Sequence, residues 1–456
     1  MAVWRGDRAA RTAADEPVAP AVAVTDLHPG AAEPGAADRG AAGSGRPAAV
    51  ALARTRGRGV PSLLGPAFVA AIAYVDPGNV AANLTAGARY GYLLLWVLVA
   101  ANVMAVLVQY QSAKLGLVTG ESLPGVLGRR LRRGPRLAYW AQAELVAAAT
   151  DIAEVVGGAI ALQLLFGVPL PLGGLIVGVV SMLLLVTQNR YGQRRFEAVV
   201  VALLAVITLG FLTGLVVSPP NGPGVLSGLV PRFAGTDSVL LAASMLGATV
   251  MPHAIYVHSA LARDRHGRAQ DGPRLARLLR ATRWDVGTAL VVAGVVNIGL
   301  LLLAAAGLRG VAGTDSIEGA HAAIVAALGG GVGVAFAVGL LASGLASTSV
   351  GAYAGATIMQ GLVHRQVPLL VRRVITLIPA VVLLALGADP TWTLVVSQVV
   401  LSFGIPFAVI PLVRLTRSRD VMGRARNGPW LHAVLVAVVA LVVVLNLALL
   451  VLLVVG

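Results

Sequence analysis

The fold is decided by residues 70–83, which read Ala-Ala-Ile-Ala-Tyr-Val-Asp-Pro-Gly-Asn-Val-Ala-Ala-Asn. The stretch lies in an apolar run, residues 63–85, that is long enough to cross a lipid bilayer. Its sequence Asp76-Pro77-Gly78 places a carboxylate and two helix breakers at membrane depth. Non-helical backbone at that depth survives only where it lines a cavity inside the protein. We therefore expect a membrane protein with a functional site at this break.

Ten more apolar segments follow along the chain. Of the 456 residues, 57% are hydrophobic and only 12% are charged, against roughly 25% charged in soluble domains. A soluble enzyme is therefore excluded, and we expect an all-α polytopic membrane protein. The chain has no Cys, so any metal ligand must carry nitrogen, oxygen or thioether sulfur. The eleven predicted spans are residues 63–85, 92–115, 137–165, 170–188, 196–217, 238–262, 285–307, 320–350, 370–387, 391–413 and 430–455.

The first 60 residues differ from the rest of the chain. They are rich in Ala, Gly, Pro and Arg, with no apolar periodicity and no apolar run that resembles a signal peptide. We predict a disordered cytoplasmic N-terminal tail over residues 1–60 and a transmembrane domain over residues 61–456.

The formal net charge of +15 is explained by where the basic residues lie. The even-numbered connections between spans carry 23 Arg residues, whereas the odd-numbered connections carry only Arg89, Arg232 and Arg309. Basic residues accumulate on cytoplasmic loops, so we predict a cytoplasmic N-terminus, a C-terminus outside the cell and a location in the cell membrane. We expect no nucleic-acid partner and no obligatory protein partner.

A second helix break lies in the sixth span, at Met251-Pro252. Breaks in the first and the sixth span each open a block of five spans, which is typical of transporters built from two inverted repeats. We predict a first repeat over residues 63–217, a second repeat over residues 238–413 and an eleventh helix over residues 430–455 outside the repeats. This prediction rests on hydropathy and on the position of the breaks.

The first break offers several oxygen ligands for a cation. Asp76 supplies a carboxylate and Asn79 an amide oxygen, and Pro77 frees carbonyls such as that of Ala73. An alternative is a simple kink in which Asp76 only caps the second half-helix. A charge at membrane depth is costly, which favours the cation site.

The second break adds a ligand of a different kind. Pro252 makes a carbonyl near Ala248 available, and Met251 places a thioether beside it. Thioethers favour transition metals, whereas Mg²⁺ and Ca²⁺ prefer oxygen. The alternative is that Met251 only fills the core. Gln398, a polar residue inside the tenth span, is either a further ligand or a contact between helices.

The third span carries three carboxylates on one face, Glu144, Asp151 and Glu154. Such a stripe is typical of a proton or ion pathway. The alternative is ion pairing with Arg372 and Arg373 at the start of the ninth span, and both interpretations can hold together. In the sixth span, His253 and His258 point in different directions, so they are not expected to share one metal, although each can titrate near physiological pH.

These motifs resemble the Nramp family of divalent transition-metal transporters. The resemblance covers the chain from about Leu63 to the tenth span. It is carried by Gly65-Pro66-Ala67-Phe68, Asp76-Pro77-Gly78-Asn79, Met251-Pro252-His253, residues 144–154, residues 191–197, and Gln398 with residues 401–407.

The resemblance implies a LeuT-type fold and proton-coupled import of Mn²⁺ or Fe²⁺, with no cofactor. The metal ligands of the family map onto the side chains of Asp76, Asn79, Met251 and Gln398 and the carbonyls of Ala73 and Ala248. Its proton pathway and associated polar network map onto Asp76, Glu144, Asp151, Glu154, His253, His258, Arg372 and Arg373. The chain departs from the family at Leu345 and Ala346, which puts a polar role of the eighth span in doubt.

Four other functions fit the sequence less well. A related group that transports Mg²⁺ lacks the Met, so Met251 argues against it. An organic-solute transporter, for example for amino acids, would pair poorly with Asp76 and Met251 at the breaks. A membrane metalloenzyme would need three strong ligands and a general base, and a channel would not need two broken helices. We predict a secondary active transporter and no enzyme.

Overall fold

The structure, a computed structural model, describes residues 65–455 except positions 192, 270, 271, 315 and 366. The tail predicted over residues 1–60 lies outside these residues. Helices occupy all eleven predicted spans within the described part of the chain. In chain order they are α1 (Pro66–Ile72), α2 (Pro77–Tyr90), α3 (Leu95–Thr119), α4 (Leu123–Arg130), α5 (Arg133–Phe166), α6 (Leu170–Tyr191), α7 (Gln193–Val217), α8 (Gly222–Gly228), α9 (Thr236–Thr249), α10 (Pro252–His266), α11 (Pro273–Gly307), α12 (Ile317–Leu328), α13 (Gly330–Val363), α14 (Leu369–Ala385), α15 (Pro390–Arg417), α16 (Arg419–Met422) and α17 (Pro429–Val455).

The first and the sixth span are each broken into two helices. A 3-10 turn, Ala73–Val75, ends α1, and α2 starts at Pro77. In the sixth span, α9 ends at Thr249 and α10 starts at Pro252. A proline fits the first position of a helix because an N–H group at that position would have no hydrogen-bond acceptor within the helix. Each proline therefore begins a new helix rather than continuing the old one.

The eighth span differs from its predicted bounds of residues 320–350. The structure has two helices there, α12 and the longer α13, which begins at Gly330 and extends to Val363. Gly329 separates them with a φ of 93°, a backbone conformation that glycine adopts readily. The apolar run was too continuous to reveal this break.

The remaining spans match their predictions within a few residues at most ends, but α11 begins earlier than predicted. It starts at Pro273 instead of residue 285, so several basic residues of the preceding connection lie on its first turns. Eight of the described helices are long and apolar enough to cross a membrane, where α9 and α10 together count as one. The short helices α4, α8 and α16 were not predicted from the sequence.

Two glycines allow the first broken span to pack closely against α5 and α11. A Cβ at Gly157 of α5 would lie 2.1 Å from the Cβ of Pro77, and a Cβ at Gly87 of α2 would lie 2.3 Å from the carbonyl oxygen of Leu301 of α11. Small residues at such contacts let helices in a membrane approach closely. The break at residue 76 is consequently buried between α5 and α11.

Candidate metal site

Asp76 lies between the two halves of the first span in an extended backbone conformation. Its Oδ1 accepts hydrogen bonds from the backbone N–H of Asn79 at 2.8 Å and from the Asn79 side-chain amide at 2.7 Å. Its Oδ2 is buried and has no hydrogen-bond partner among the described residues. The two interpretations made from the sequence are therefore compatible, because one oxygen caps α2 while the other faces the site.

The second break meets the first through Asn79. The Asn79 Nδ2 donates a hydrogen bond to the carbonyl oxygen of Ala248 at 3.0 Å. This carbonyl lacks its usual donor because the residue four positions later is Pro252. Ala73 stands in the same relation to Pro77. Met251 follows directly on the second break and is completely buried.

Gln398 reaches the site from α15. A Cβ at Gly78 would lie only 1.7 Å from the Gln398 Nε2 and 3.2 Å from the Asp76 Oδ2. The absence of a side chain at Gly78 therefore lets the Gln398 amide lie against the break. Neither polar atom of this amide has a hydrogen-bond partner among the described residues.

Three buried oxygens at this place have no donor among the described residues, namely Asp76 Oδ2, Asn79 Oδ1 and Gln398 Oε1. Buried polar atoms are normally paired, so these three oxygens are free to coordinate a cation. We call Asp76, Asn79, Met251, Gln398 and the carbonyl of Ala248 the two-break site. Its ligand set combines one carboxylate with neutral oxygens and a thioether, a set that suits a divalent transition metal.

The acidic stripe of α5 is paired with α14. Arg372 forms an ion pair with Glu144 at 2.6 Å, and Arg373 forms one with Asp151 at 3.1 Å. Arg373 is fully buried, and its Nε donates a hydrogen bond to the Ser181 hydroxyl at 3.0 Å. The Arg373–Asp151 pair is buried and the Arg372–Glu144 pair is partly exposed. Together they connect α5 and α14 at two positions along the helices.

Glu154 differs from the other two carboxylates of the stripe. It is completely buried, and neither carboxylate oxygen has a hydrogen-bond partner among the described residues. A Cβ at Gly351 of α13 would lie 3.0 Å from its Oε2 and 3.3 Å from the Asp151 Oδ1. Glu154 lies one helical turn before Gly157, the residue that contacts Pro77. An unpaired acid thus lies between the ion pairs and the two-break site.

The two histidines face different helices. His253 has its Nδ1 3.4 Å from the Thr150 hydroxyl of α5. The His258 Nδ1 lies 2.8 Å from the amide oxygen of Gln109 on α3. The Gln109 Nε2 donates to the Tyr74 hydroxyl at 2.7 Å, which links His258 to the turn before Asp76.

Some residues that shape the site were not singled out from the sequence. The Ser343 hydroxyl donates a hydrogen bond to the Val75 carbonyl at 2.5 Å, although the sequence had put a polar role of the eighth span in doubt. Asn297 of α11 donates to the Tyr74 carbonyl at 2.7 Å and accepts from the Asn83 amide. Polarity at membrane depth was the only available signal, and it does not reveal a partner more than 200 residues away.

Comparisons with known proteins agree with this geometry. The family model "Natural resistance-associated macrophage protein-like" (Nramp) matches residues 67–452. The divalent metal cation transporter MntH of Mycobacterium tuberculosis is 65% identical over 381 residues, which cover 82% of this chain and 89% of the relative. The protein of the same name from Bacillus subtilis is 44% identical over 400 residues, covering 86% and 93% of the two chains.

Solved structures support the fold. The manganese transporter of Eremococcus coleocola superposes with a TM-score of 0.78 at 35% identity, covering 85% of this chain and 86% of the other. Mhp1, a nucleobase-cation-symport-1 family transporter, is 17% identical and gives a TM-score of 0.54 over 85% of this chain and 91% of its own. This second likeness concerns the fold alone.

The fold and the buried site at two helix breaks define a membrane transporter with a LeuT-type 5+5 inverted repeat and an eleventh transmembrane helix. The chain belongs to the Nramp family. The predicted fold class is thereby confirmed, as is the prediction of a multi-pass transport protein rather than an enzyme.

Proposed function

We propose that the protein is a proton-coupled importer of divalent transition metal ions, chiefly Mn²⁺ and Fe²⁺, that works by alternating access in the cell membrane. The observation that carries the proposal is the group of three unpaired buried oxygens of Asp76, Asn79 and Gln398 at the first break. The Asn79 amide joins this group to the Ala248 carbonyl, three residues before the buried Met251. The printed names of the relatives, divalent metal cation transporter and manganese transporter, support it.

The two-break site provides a physical basis for choosing among metals. Mg²⁺ and Ca²⁺ prefer an all-oxygen shell, so one position taken by the Met251 thioether disfavours them. A divalent transition metal tolerates a thioether beside carboxylate, amide and carbonyl oxygens better than Mg²⁺ or Ca²⁺ does. The site lies between half-helices, and rocking of one group of helices would expose it to each side of the membrane in turn.

The proton pathway would run along the acidic stripe of α5. Asp76 is one proton carrier and the unpaired Glu154 is the next, because Glu154 lies one turn from the residue that contacts Pro77. Asp151 with Arg373 and Glu144 with Arg372 continue the stripe. In this proposal His253 and His258 belong to the surrounding polar network, the N-terminus is cytoplasmic and the C-terminus is outside.

The decisive experiment is Mn²⁺ uptake into proteoliposomes, with and without an inward proton gradient, in excess Mg²⁺ and Ca²⁺. Asp76→Ala serves as the blank. We expect uptake that resists the excess of hard ions and is faster with the gradient. Full-rate Mn²⁺ uptake by Asp76→Ala would contradict the site, and uptake that ignores the gradient would contradict the proton coupling.

The same vesicles separate the two alternatives on this scaffold. Uptake of Mg²⁺ or of an amino acid above the blank, without Mn²⁺ uptake, would replace the proposed substrate. The fold would stand in either case.

A further inference from the structure

A groove of about 750 Å³ lies on the outer face of α11, where this helix passes from basic to apolar sequence. We call it the α11 groove; its lining includes Arg280, Arg283, Trp284, Gly287, Thr288 and Val291.

The groove exists because Gly287 carries no side chain. A Cβ at this position would meet nothing within 4 Å. One turn away on either side, Trp284 and Val291 are 64% and 56% exposed. They are the apolar side chains on either side of the gap at Gly287, which lies at the start of the predicted seventh span, residues 285–307.

Positive charge closes one end of the groove. Neither Arg280 nor Arg283 pairs with a carboxylate among the described residues. The Arg283 Nε donates a hydrogen bond to the Tyr110 hydroxyl at 3.3 Å, and its guanidinium lies 5.4 Å from the centre of the Tyr110 ring. These contacts hold the charged guanidinium group of Arg283 at the end of the α11 groove.

No acidic side chain of this helix opposes that charge. Asp285 is the only acidic residue of α11. It is buried on the other side of the helix, where it accepts hydrogen bonds from the backbone of Gly65 and Ala67. The α11 groove therefore combines two arginines that have no carboxylate partner among the described residues, an exposed Trp and an open apolar surface.

We propose that the α11 groove binds an anionic phospholipid of the surrounding membrane. Arg280 and Arg283 receive the phosphate, and one acyl chain lies across Gly287 between Trp284 and Val291. Arginine pairs well with phosphate, exposed Trp is enriched where a helix meets the headgroups, and basic residues attract anionic lipids. This inference does not depend on the transported substrate.

Native mass spectrometry of the detergent-released full chain tests the headgroup. Equal amounts of phosphatidylglycerol and phosphatidylcholine with the same acyl chains are offered, and we expect phosphatidylglycerol to be retained preferentially. Arg280→Gln and Arg283→Gln should each weaken retention about fivefold, or about 1 kcal/mol. Arg277→Gln is the control, because Arg277 is exposed on the same helix but does not line the groove.

A second pair of variants, Gly287→Leu and Trp284→Phe, tests the proposed position of the acyl chain. Gly287→Leu should abolish selective retention without lowering the unfolding temperature, since the space is open and Leu is the better helix former. Phosphatidylglycerol with brominated acyl chains should quench tryptophan fluorescence in the wild type, and Trp284→Phe should remove that component.

Several results would overturn the proposal. They are equal retention of both lipids, retention unchanged in the two Arg variants, and displacement of the lipid by inorganic phosphate alone, which would reduce the site to a phosphate site. If Gly287→Leu changes the oligomeric state while lipid retention persists, the α11 groove is an interface between copies of the chain.

Discussion

Pro77 and Pro252 act through a hydrogen bond that neither can donate. Each leaves a carbonyl four residues earlier without its helical donor, at Ala73 and at Ala248. The Ala248 carbonyl accepts a hydrogen bond from the Asn79 side chain instead, since leaving a buried acceptor unpaired costs about 1–3 kcal/mol. At residue scale, the two-break site is therefore a place where the protein holds polar groups that a cation can satisfy.

Met251→Ala tests the selectivity argument at this scale. We expect Mn²⁺ uptake to persist while Ca²⁺ is admitted more readily, because the soft ligand that disfavours hard ions is gone. The measurement is the ratio of Ca²⁺ to Mn²⁺ uptake in proteoliposomes, relative to the wild type. Equal exclusion of Ca²⁺ by the variant would contradict the role of the thioether.

Gly78→Ala tests whether Gln398 belongs to the site. The new methyl group would lie 1.7 Å from the present position of the Gln398 Nε2. The amide must then swing away, and we expect Mn²⁺ affinity to fall about 10- to 100-fold, as for other groups that support a metal. Calorimetric titration with Mn²⁺ measures this.

The matched control is Gly134→Ala, since a Cβ at Gly134 would have no atom within 4 Å. Unchanged affinity in Gly78→Ala would remove Gln398 from the site.

Sequence reasoning reached the parts of the site that are local. A proline affects a carbonyl four residues away, so spacing alone predicts the freed carbonyls of Ala73 and Ala248. Asp76 and Met251 were predicted from their residue types beside the breaks. Gly78 shows the limit, because its importance depends on a side chain of α15 that lies more than 300 residues away along the chain. Packing partners of that kind leave no local pattern.

At the scale of elements, α1 is a short helix of seven residues whose start is held by other helices. Its first N–H groups, on Gly65 and Ala67, donate to Asp285 of α11 at 2.9 and 3.0 Å. Glu197 of α7 lies against Gly65 and forms an ion pair of 3.0 Å with Arg265 of α10. The position of α1 thus depends on α7, α10 and α11.

Asp285→Ala should loosen α1 by removing this cap, with a cost of about 0.5–2 kcal/mol. The chain has no Cys, so a single Ala67→Cys, at a position that is 2% exposed, reports the opening of α1 through its rate of maleimide labelling. We expect labelling to be several-fold faster in the Asp285→Ala background.

Asp389→Ala provides the control for this experiment. Asp389 caps α15 in the same way, accepting a hydrogen bond from the Trp392 N–H at 2.6 Å, but it does not contact α1. If both backgrounds label alike, Asp285 does not hold α1.

The eighth span illustrates why element boundaries were harder to predict than the breaks at proline. Residues 317–363 are apolar nearly throughout, and Gly occurs at 329, 330, 331 and 333. Glycine is also common inside transmembrane helices, so its presence did not locate the end of α12. Only the positive φ of Gly329 in the folded chain does so.

At the scale of the whole molecule, the distribution of Arg predicts the orientation in the membrane. Asn221→Cys and Gly428→Cys test it, because both positions are exposed. Asn221 lies on an odd-numbered connection, predicted to be outside the cell, and Gly428 on an even-numbered connection, predicted to be cytoplasmic. A membrane-impermeant maleimide should label Asn221→Cys in intact cells, and Gly428→Cys only after permeabilisation. The reverse pattern would invert the topology, and the wild type without Cys sets the background.

The single carboxylate of the two-break site has a consequence for the energy of transport. The amide, carbonyl and thioether ligands are neutral, so a divalent ion beside Asp76 leaves one excess positive charge in the loaded site. Moving one charge through the membrane field changes the free energy by about 2.3 kcal/mol per 100 mV. An inside-negative voltage would then favour the inward movement of the metal-loaded site. The empty site has a different net charge, so the same voltage would act differently on its return.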